Sequence, residues 1–232
     1  MTPLFGAPAV PFRDRAEAGR RLGERLQHLR GEDVVVLGLP RGGVAVAYEV
    51  AKALDAPLDV VVARKLGAPG QPELAIGAIA PGASVLRHEL VDMLGISDDE
   101  IERITARERA RAAELETRFR HGREAPEIGG RTAVVVDDGL ATGATATAAV
   151  RSVRTRRPAR IVLAVPVGAP ESIADLSREV DEVVTLIAPR DLRAVGIWYE
   201  SFPQLSDDEV EAMLDERARI DGAARQPTGP ER

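Results

Sequence analysis

Largely apolar runs separated by helix-period stretches organise most of the chain. Five such runs are typical of buried parallel strands, at residues 34–39, 58–63, 132–136, 161–165 and 183–187. Most of the stretches between them repeat apolar residues at helical spacing. Strands that alternate with helices favour a largely parallel sheet with right-handed crossovers. We therefore expect an α/β fold whose central parallel sheet is flanked by helices.

Local residue patterns mark two helix starts and one turn. Asp14 followed by Glu17, and Ser97 followed by Glu100, place an N-cap residue three positions before a glutamate, as in a capping box. The second of these helices is highly charged, so we expect it to pack on one side only. The dipeptide Pro81-Gly82 separates two short extended stretches and predicts a hairpin.

Composition predicts the character of three further segments. A Gly- and Pro-rich stretch at residues 67–72 follows the second strand and predicts a mobile loop. Acidic residues after Ser206 mark the start of a helix that we expect to end at about residue 217. Residues 219–232 are expected to form a disordered tail.

Composition also limits the chemistry and the location. The chain has 232 residues and no cysteine, which excludes a disulfide framework, a thiolate nucleophile and Cys-ligated metal sites. The first residues lack a signal-peptide pattern, and no apolar run reaches the roughly 18 to 20 residues of a membrane span. A formal net charge of −6 argues against broad attraction to nucleic acid or anionic lipid. We expect a cytoplasmic protein without a membrane partner.

One strand–loop–helix segment carries the clearest chemistry. It reads Val134, Val135, Val136, Asp137, Asp138, Gly139, Leu140, Ala141, Thr142, Gly143, Ala144, Thr145. The strand delivers Asp137 and Asp138 to the crevice beyond the carboxyl ends of parallel strands, where ligands bind in such sheets. Amide groups at the following helix start, with threonine hydroxyls, suit a phosphate dianion. Two adjacent carboxylates instead suit the neighbouring hydroxyls of a ribose, and they can help to position a metal ion.

The same segment resembles the signature with which type I phosphoribosyltransferases bind 5-phosphoribosyl-1-pyrophosphate (PRPP). In that signature two acids precede a loop of Thr, Gly, a small residue and Thr. The resemblance implies that Asp137 and Asp138 contact the ribose hydroxyls and that residues 141–145 hold the 5′-phosphate. Gly139 and Leu140 belong to the same predicted PRPP-binding segment. The structural alternative is an Asp-rich turn between a strand and a helix.

Two basic segments complete the predicted PRPP site. Family members bind pyrophosphate with a short loop after the first strand, which here implies PRPP contacts by Pro40, Arg41, Gly42 and Gly43. Arg41 suits this task because its fork of donors matches phosphate oxygens. Arg64 and Lys65 precede the Gly- and Pro-rich stretch, and in relatives basic residues near a mobile loop meet the leaving pyrophosphate. The structural alternatives are a glycine turn with an exposed arginine and two exposed basic residues beside a loop.

The resemblance implies a reaction in nucleotide metabolism. A nucleophile, usually nitrogen, displaces pyrophosphate from PRPP, with Mg²⁺ on the substrate. The expected catalytic residues are Arg41, Lys65, Asp137 and Asp138: the two basic residues stabilise the leaving group, and the two acids fix the sugar and help to position the metal.

The resemblance also implies a domain organisation. Residues 1–218 are expected to form one phosphoribosyltransferase-like domain with its core at about 31–188. A small hood built from the N- and C-terminal segments, residues 1–30 and 189–218, is expected to cover this core.

In relatives the hood holds the acceptor, and aromatic residues are only 3% of this chain. The cluster of Trp198, Tyr199 and Phe202 is therefore a candidate for stacking on a flat acceptor. We slightly favour the alternative, a small satellite core that anchors the C-terminal helix. Ala141 stands where purine-salvage relatives often carry an acid near the base, so the acceptor and any general base stay open. Purine, pyrimidine, orotate-like and non-nucleobase acceptors all remain candidates.

Other function classes have weaker support. A non-catalytic PRPP sensor would keep the same phosphate grip, and a PRPP-synthesising enzyme would share the signature but lacks a recognisable ATP site. The loops have neither Walker A nor dinucleotide-binding spacing. An arginine run could form an RNA-binding face, although a solvated helix end is favoured: Arg151, Arg154, Arg156, Arg157 and Arg160. The partners expected are PRPP and a small-molecule acceptor, and a homodimer is left open.

Overall fold

A five-stranded parallel sheet forms the centre of the structure, a computed structural model that describes residues 12–224. The strands in chain order are β1 (Val34–Gly38), β2 (Leu58–Val60), β3 (Arg64–Ala68), β4 (Gln71–Ala80), β5 (Ala83–Leu86), β6 (Thr132–Val136), β7 (Arg160–Val167) and β8 (Glu182–Ile187). The central sheet has the order β2-β1-β6-β7-β8, and all of its neighbouring strands run parallel. A second, antiparallel sheet contains three strands in the order β3-β4-β5.

Helices follow most strands of the central sheet. They are α1 (Arg15–Arg25), α2 (Gly42–Leu54), α3 (His88–Leu94), α4 (Asp98–Arg120), α5 (Ala144–Thr155), α6 (Pro170–Leu176) and α7 (Asp207–Ala224). Both predicted N-caps are confirmed: the Asp14 side chain accepts from the Glu17 amide, and Ser97 forms a capping box with Glu100. None of the described helices is long and apolar enough to cross a membrane.

Alternate strand residues face two layers of helices. Val34, Val36, Val134 and Val136 pack in one core with residues of α1, α2 and α7. The residues between them on β1 and β6 pack in a second core with α5. Because strand side chains alternate in direction, an all-apolar strand can serve both cores at once. The predicted α/β fold, with a parallel sheet flanked by helices, is confirmed.

The prediction of a mobile loop over residues 67–72 is wrong except at Pro69 and Gly70, which form a turn between two strands. This stretch belongs to a hairpin in which β3 pairs antiparallel with β4, and Arg64 and Lys65 open β3 instead of closing β2. Leu66 and Ala68 are buried, so the hairpin has a packed face that the Gly- and Pro-rich composition concealed. The turn at Pro81-Gly82 is confirmed between β4 and β5, and Gly82 has a φ of 72°.

The C-terminal helix extends beyond its predicted end, into the segment expected to be a disordered tail. α7 runs to Ala224, so the tail prediction is wrong for residues 219–224. Arg217 is only 3% exposed; it donates to the Ala56 carbonyl oxygen and pairs with Asp221 one helical turn later. These contacts hold the helix in place past residue 217. Residues 225–232 of the predicted tail and residues 1–11 of the predicted hood lie outside the described residues.

The first described residues meet the segment that precedes α7. Phe12 forms a bridge with Tyr199, and both pack with Val167 at the end of β7. The N-terminal segment and the segment before α7 thus form a joint cap at the carboxyl end of the sheet. The domain limits themselves stay a prediction.

Candidate phosphoribosyl site

Two adjacent carboxylates lie at the carboxyl end of β6, the central strand of the sheet. Asp138 Oδ2 accepts a hydrogen bond from Arg15 Nε at 2.8 Å, and Asp137 Oδ1 accepts one from the Asp138 amide at 2.9 Å. Asp137 Oδ2 and Asp138 Oδ1 accept none from other residues in the described part of the chain. The pair therefore offers two carboxylate oxygens to a ligand.

The environment opposes full ionisation of this pair. Burial, reinforced by the Asp138 charge, raises the pKa of Asp137 well above its ordinary value. Burial also raises the pKa of Asp138, although the hydrogen bond from Arg15 opposes the shift. Arg15 and Lys65 are the positive groups that favour the charged form of Asp137. A ligand that brings hydroxyl donors or positive charge would relieve the cost of holding both carboxylates ionised.

The loop after the acids is anchored at Leu140 and at the Ala141 carbonyl oxygen, which accepts from Ser172 Oγ at 2.6 Å, and it offers open amide donors. Leu140 donates to the Val167 carbonyl oxygen and accepts from the Ala169 amide, each at 2.8 Å. Gly143 caps α5 with a φ of 74°, a conformation that favours glycine. Within residues 12–224, the amides of residues 141–145 donate to no protein acceptor. Unpaired amides at a helix start form a concave anion-binding surface.

Two glycines bring the predicted pyrophosphate loop against the acids. A Cβ atom at Gly42 would lie 1.9 Å from Asp138 Oδ2, and one at Gly43 would lie 2.8 Å from Asp137 Cα. Any side chain at these positions would displace the carboxylates, so glycine is required by the close approach. Arg41 is about half exposed, and its Nη1 atom lies 3.8 Å from the Asp207 carboxylate in the first turn of α7.

The acid pair is braced by residues from both chain ends, and the sequence prediction missed the most important of them. Arg15 pairs with Asp138, donates to the Pro203 carbonyl oxygen at 2.7 Å and stacks its guanidinium 3.6 Å from the Phe202 ring centroid. The Tyr199 hydroxyl donates to the Asp138 carbonyl oxygen at 2.6 Å. A signal existed: Arg15 occupies the first turn of α1, where the helix dipole disfavours positive charge.

The aromatic cluster is mainly a packing unit in this structure. Tyr199 is 5% exposed and packs between Phe12 and Phe202, with ring centroids 5.3 Å and 4.8 Å away. This arrangement favours the satellite-core interpretation for Tyr199. The indole Nε1 of Trp198 is buried without a hydrogen-bond partner among the described residues. Acceptor binding by Trp198, Tyr199 and Phe202 stays a prediction.

Sequence comparison decides the family. Residues 15–200 match the family model described as the phosphoribosyl transferase domain. The chain belongs to the type I phosphoribosyltransferase family.

Named relatives agree with this assignment. Two proteins from different strains of Mycobacterium tuberculosis, both named provisionally as phosphoribosyl transferases, are each 50% identical over 227 residues. The match covers 93% of this chain and 51% of each relative, so the chain spans about half the length of these curated relatives. A protein of known crystal structure from Thermus thermophilus is 46% identical, with a TM-score of 0.74 over 88% of this chain and 98% of that one.

In this member of the family the basic residues after β2 lie beside the start of α5, which follows the two acids. Arg64, Lys65 and Thr145 all line a cavity of about 960 Å³ between the β3–β4 hairpin and α4. Arg41 lines a second cavity of about 480 Å³, which Arg64 also borders. The structure thus brings the predicted PRPP residues to one edge of the sheet, with Arg41 and Lys65 on different sides of Arg64.

Most of the arginine run is engaged within the protein. Arg151 pairs with Glu179, Arg160 pairs with Glu182, and Arg154 and Arg156 donate to backbone carbonyl oxygens. These contacts give the run a structural role at the end of α5 and the start of β7.

Proposed function

We propose that the protein binds PRPP and transfers its phosphoribosyl group to a nitrogenous acceptor of unknown identity. The observation that carries this proposal is the juxtaposition at the end of β6: unpaired amides at residues 141–145 stand next to the available oxygens of Asp137 and Asp138. One group suits a phosphate dianion and the other suits a pair of ribose hydroxyls. Membership of the family supports this pairing of roles.

Each loop has a part in the proposed reaction. The bond between ribose C1 and pyrophosphate oxygen breaks, and a bond from C1 to the acceptor nitrogen forms. Positive charge develops on the ribose ring as the bond breaks, and the carboxylates of Asp137 and Asp138 stabilise it while they orient the sugar. The Pro40–Gly43 loop holds the pyrophosphate with its amides and Arg41, and Arg64 and Lys65 add positive charge near the leaving group.

Magnesium fits this site as a substrate-borne ion. No group of three or more acidic or histidine ligands occurs among the described residues. Two carboxylates alone match the usual manner of holding Mg²⁺, which combines one or two protein carboxylates with substrate phosphates and water. Asp137 and Asp138 are the residues that would hold it. When bound, the ion would neutralise negative charge on the pyrophosphate.

The proposal places the protein in cytoplasmic nucleotide metabolism. Its support is the family, the lack of cysteine and the absence of any membrane-crossing helix among the described residues. Because the chain spans about half the length of its curated relatives, the proposal concerns the domain in hand.

Ligand-dependent melting and pyrophosphate release test this proposal together. PRPP and ribose 5-phosphate should each raise the melting temperature, whereas free ribose should not, because the phosphate loop supplies much of the affinity. Pyrophosphate release is then followed with PRPP, Mg²⁺ and a panel of purine, pyrimidine and ring-carboxylate acceptors. Equal increases in melting temperature with ribose and with ribose 5-phosphate would contradict the proposal that residues 141–145 bind the 5′-phosphate. Binding of PRPP without release for any acceptor would favour a PRPP sensor over an enzyme.

A further inference from the structure

The cavity beside α4 carries a surplus of positive charge on a protein that is acidic as a whole. Five basic side chains line it against three acidic ones: Arg64, Lys65, Arg103, Arg107 and Arg111 against Glu73, Glu100 and Glu108. The whole chain has a formal net charge of −6, so this concentration is local. A cleft lined by one sign of charge concentrates ligands of the opposite sign.

One buried carboxylate gathers three of these arginines. Glu108 is 6% exposed at its side chain and accepts from Arg64 Nε at 2.7 Å, Arg107 Nε at 3.1 Å and Arg111 Nη1 at 3.0 Å. Burial opposes its ionisation, but hydrogen bonds from Arg64 and Arg107 outweigh burial and lower the pKa of Glu108. The charged Glu108 thus fixes guanidinium groups from α4 and from β3 in one cluster.

The cluster has surplus positive charge and unused hydrogen-bond donors. One carboxylate against three guanidinium groups leaves two positive charges. Each arginine uses one nitrogen on Glu108, and the other guanidinium nitrogens bond to no acceptor within residues 12–224. Arg107 and Arg111 are more than half exposed at their side chains. A preassembled pair of surplus charges with open donors matches a phosphate dianion or a carboxylate.

We propose that this cavity binds an anionic group, phosphate or carboxylate, of a ligand other than PRPP. The inference rests on the proposed function only in assigning the neighbouring loops to PRPP. Those loops already provide a 5′-phosphate surface at residues 141–145, and Arg41 lines the other cavity. Lys65 and Thr145 border the cavity, and the proposed function assigns Arg64 and Lys65 to the leaving pyrophosphate. The second anion is therefore assigned to Arg107 and Arg111 of the cluster, next to bound PRPP. It belongs either to a substituent of the acceptor or to a separate small anion.

Equilibrium dialysis with labelled sulfate tests the proposal. Sulfate is a tetrahedral dianion, and it is titrated into the full chain saturated with PRPP and Mg²⁺, which occupies the other phosphate sites. We expect one sulfate to bind, and the double variant Arg107→Gln/Arg111→Gln to bind it at least about tenfold more weakly. Arg109→Gln is the control for position, because Arg109 lies on the same helix, is exposed and does not line the cavity. Its sulfate affinity should equal that of the wild type.

The outcomes separate this proposal from the proposed function. PRPP binding is measured first without sulfate; its absence contradicts the proposed function alone, and the sulfate titration is then made without PRPP. Failure of the wild type to bind sulfate, or equal affinity in the double variant, overturns the anion site. Melting curves confirm that each variant is folded. Orotate and uracil, which differ by a ring carboxylate, are then tested as competitors of sulfate. Displacement of sulfate by orotate alone supports the anion site and assigns it to a substituent of the acceptor. Sulfate binding that neither compound affects supports the site as one for a separate small anion.

Discussion

Arg15 Nε lies 2.8 Å from Asp138 Oδ2, although the two residues are 123 positions apart in the chain. The same guanidinium stacks on Phe202 and donates to the Pro203 carbonyl oxygen. The acid pair is therefore held by the first helix and by the segment before the last one. Its geometry depends on segments at the start of the described chain and just before α7.

Replacement of Arg15 should weaken both folding and PRPP binding. Arg15→Gln removes a charge-assisted hydrogen bond from a partly buried carboxylate, which costs about 1.5–3 kcal/mol of unfolding free energy. It also removes the group that opposes the rise in the pKa of Asp138. Denaturant unfolding and PRPP titration measure the two effects. The control is Arg20→Gln, an exposed residue of the same helix. Equal behaviour of the two variants would show that Arg15 does not brace the site.

Neutralising Asp137 should stabilise the ligand-free protein, and increasingly so at higher pH. An acid whose folded-state pKa is raised contributes stability below its ordinary pKa of 3.8, and that contribution is lost as pH rises through the folded-state value. Asp137→Asn removes this loss and keeps Oδ1 as the acceptor for the Asp138 amide. Melting temperatures of variant and wild type are compared from about pH 4 to pH 8. A difference that stays constant or shrinks over this range would contradict the raised pKa.

Freeing Arg41 from its acidic neighbour should strengthen pyrophosphate binding. Asp207 lies 3.8 Å from Arg41 and also pairs with Arg118, whereas Asp208 pairs with Arg118 and not with Arg41. Asp207→Asn should increase pyrophosphate affinity about two- to fivefold, because a competing carboxylate is removed from a half-exposed arginine. Asp208→Asn should leave it unchanged. If calorimetry gives the same pyrophosphate affinity for both variants, Arg41 does not bind pyrophosphate.

The local parts of the fold were predictable from the sequence. β6 has the predicted bounds, and the caps at Asp14 and Ser97 are as expected, because apolar runs and capping boxes are encoded in neighbouring residues. The β3–β4 hairpin was not predictable in the same way. Its glycines and prolines indicate a loop, and only its packing against the core shows that Leu66 is buried.

The residues of the candidate site also differ in whether the local sequence could predict them. Asp137, Asp138 and the loop to Thr145 are contiguous in sequence, so their order and spacing marked them. Arg15 pairs with Asp138, 123 positions away, and Glu108 pairs with Arg64, 44 positions away, in addition to its chain neighbours Arg107 and Arg111. Nothing in the local sequence identifies the two distant partners. Contacts between residues that are distant in the sequence can be identified only from the folded structure.

The central claim is that Asp137 and Asp138 clamp the ribose of PRPP, and PRPP titration with Mg²⁺ on the double variant Asp137→Asn/Asp138→Asn tests it most directly. Each charge-assisted hydrogen bond contributes on the order of 1.5–3 kcal/mol, so the variant should bind PRPP about a hundredfold or more weakly while it remains folded. The control Asp92→Asn/Asp191→Asn removes the same charge from exposed positions and should bind like the wild type. Equal affinity in the Asp137→Asn/Asp138→Asn variant, or no binding by the wild type at millimolar PRPP, would contradict the assignment.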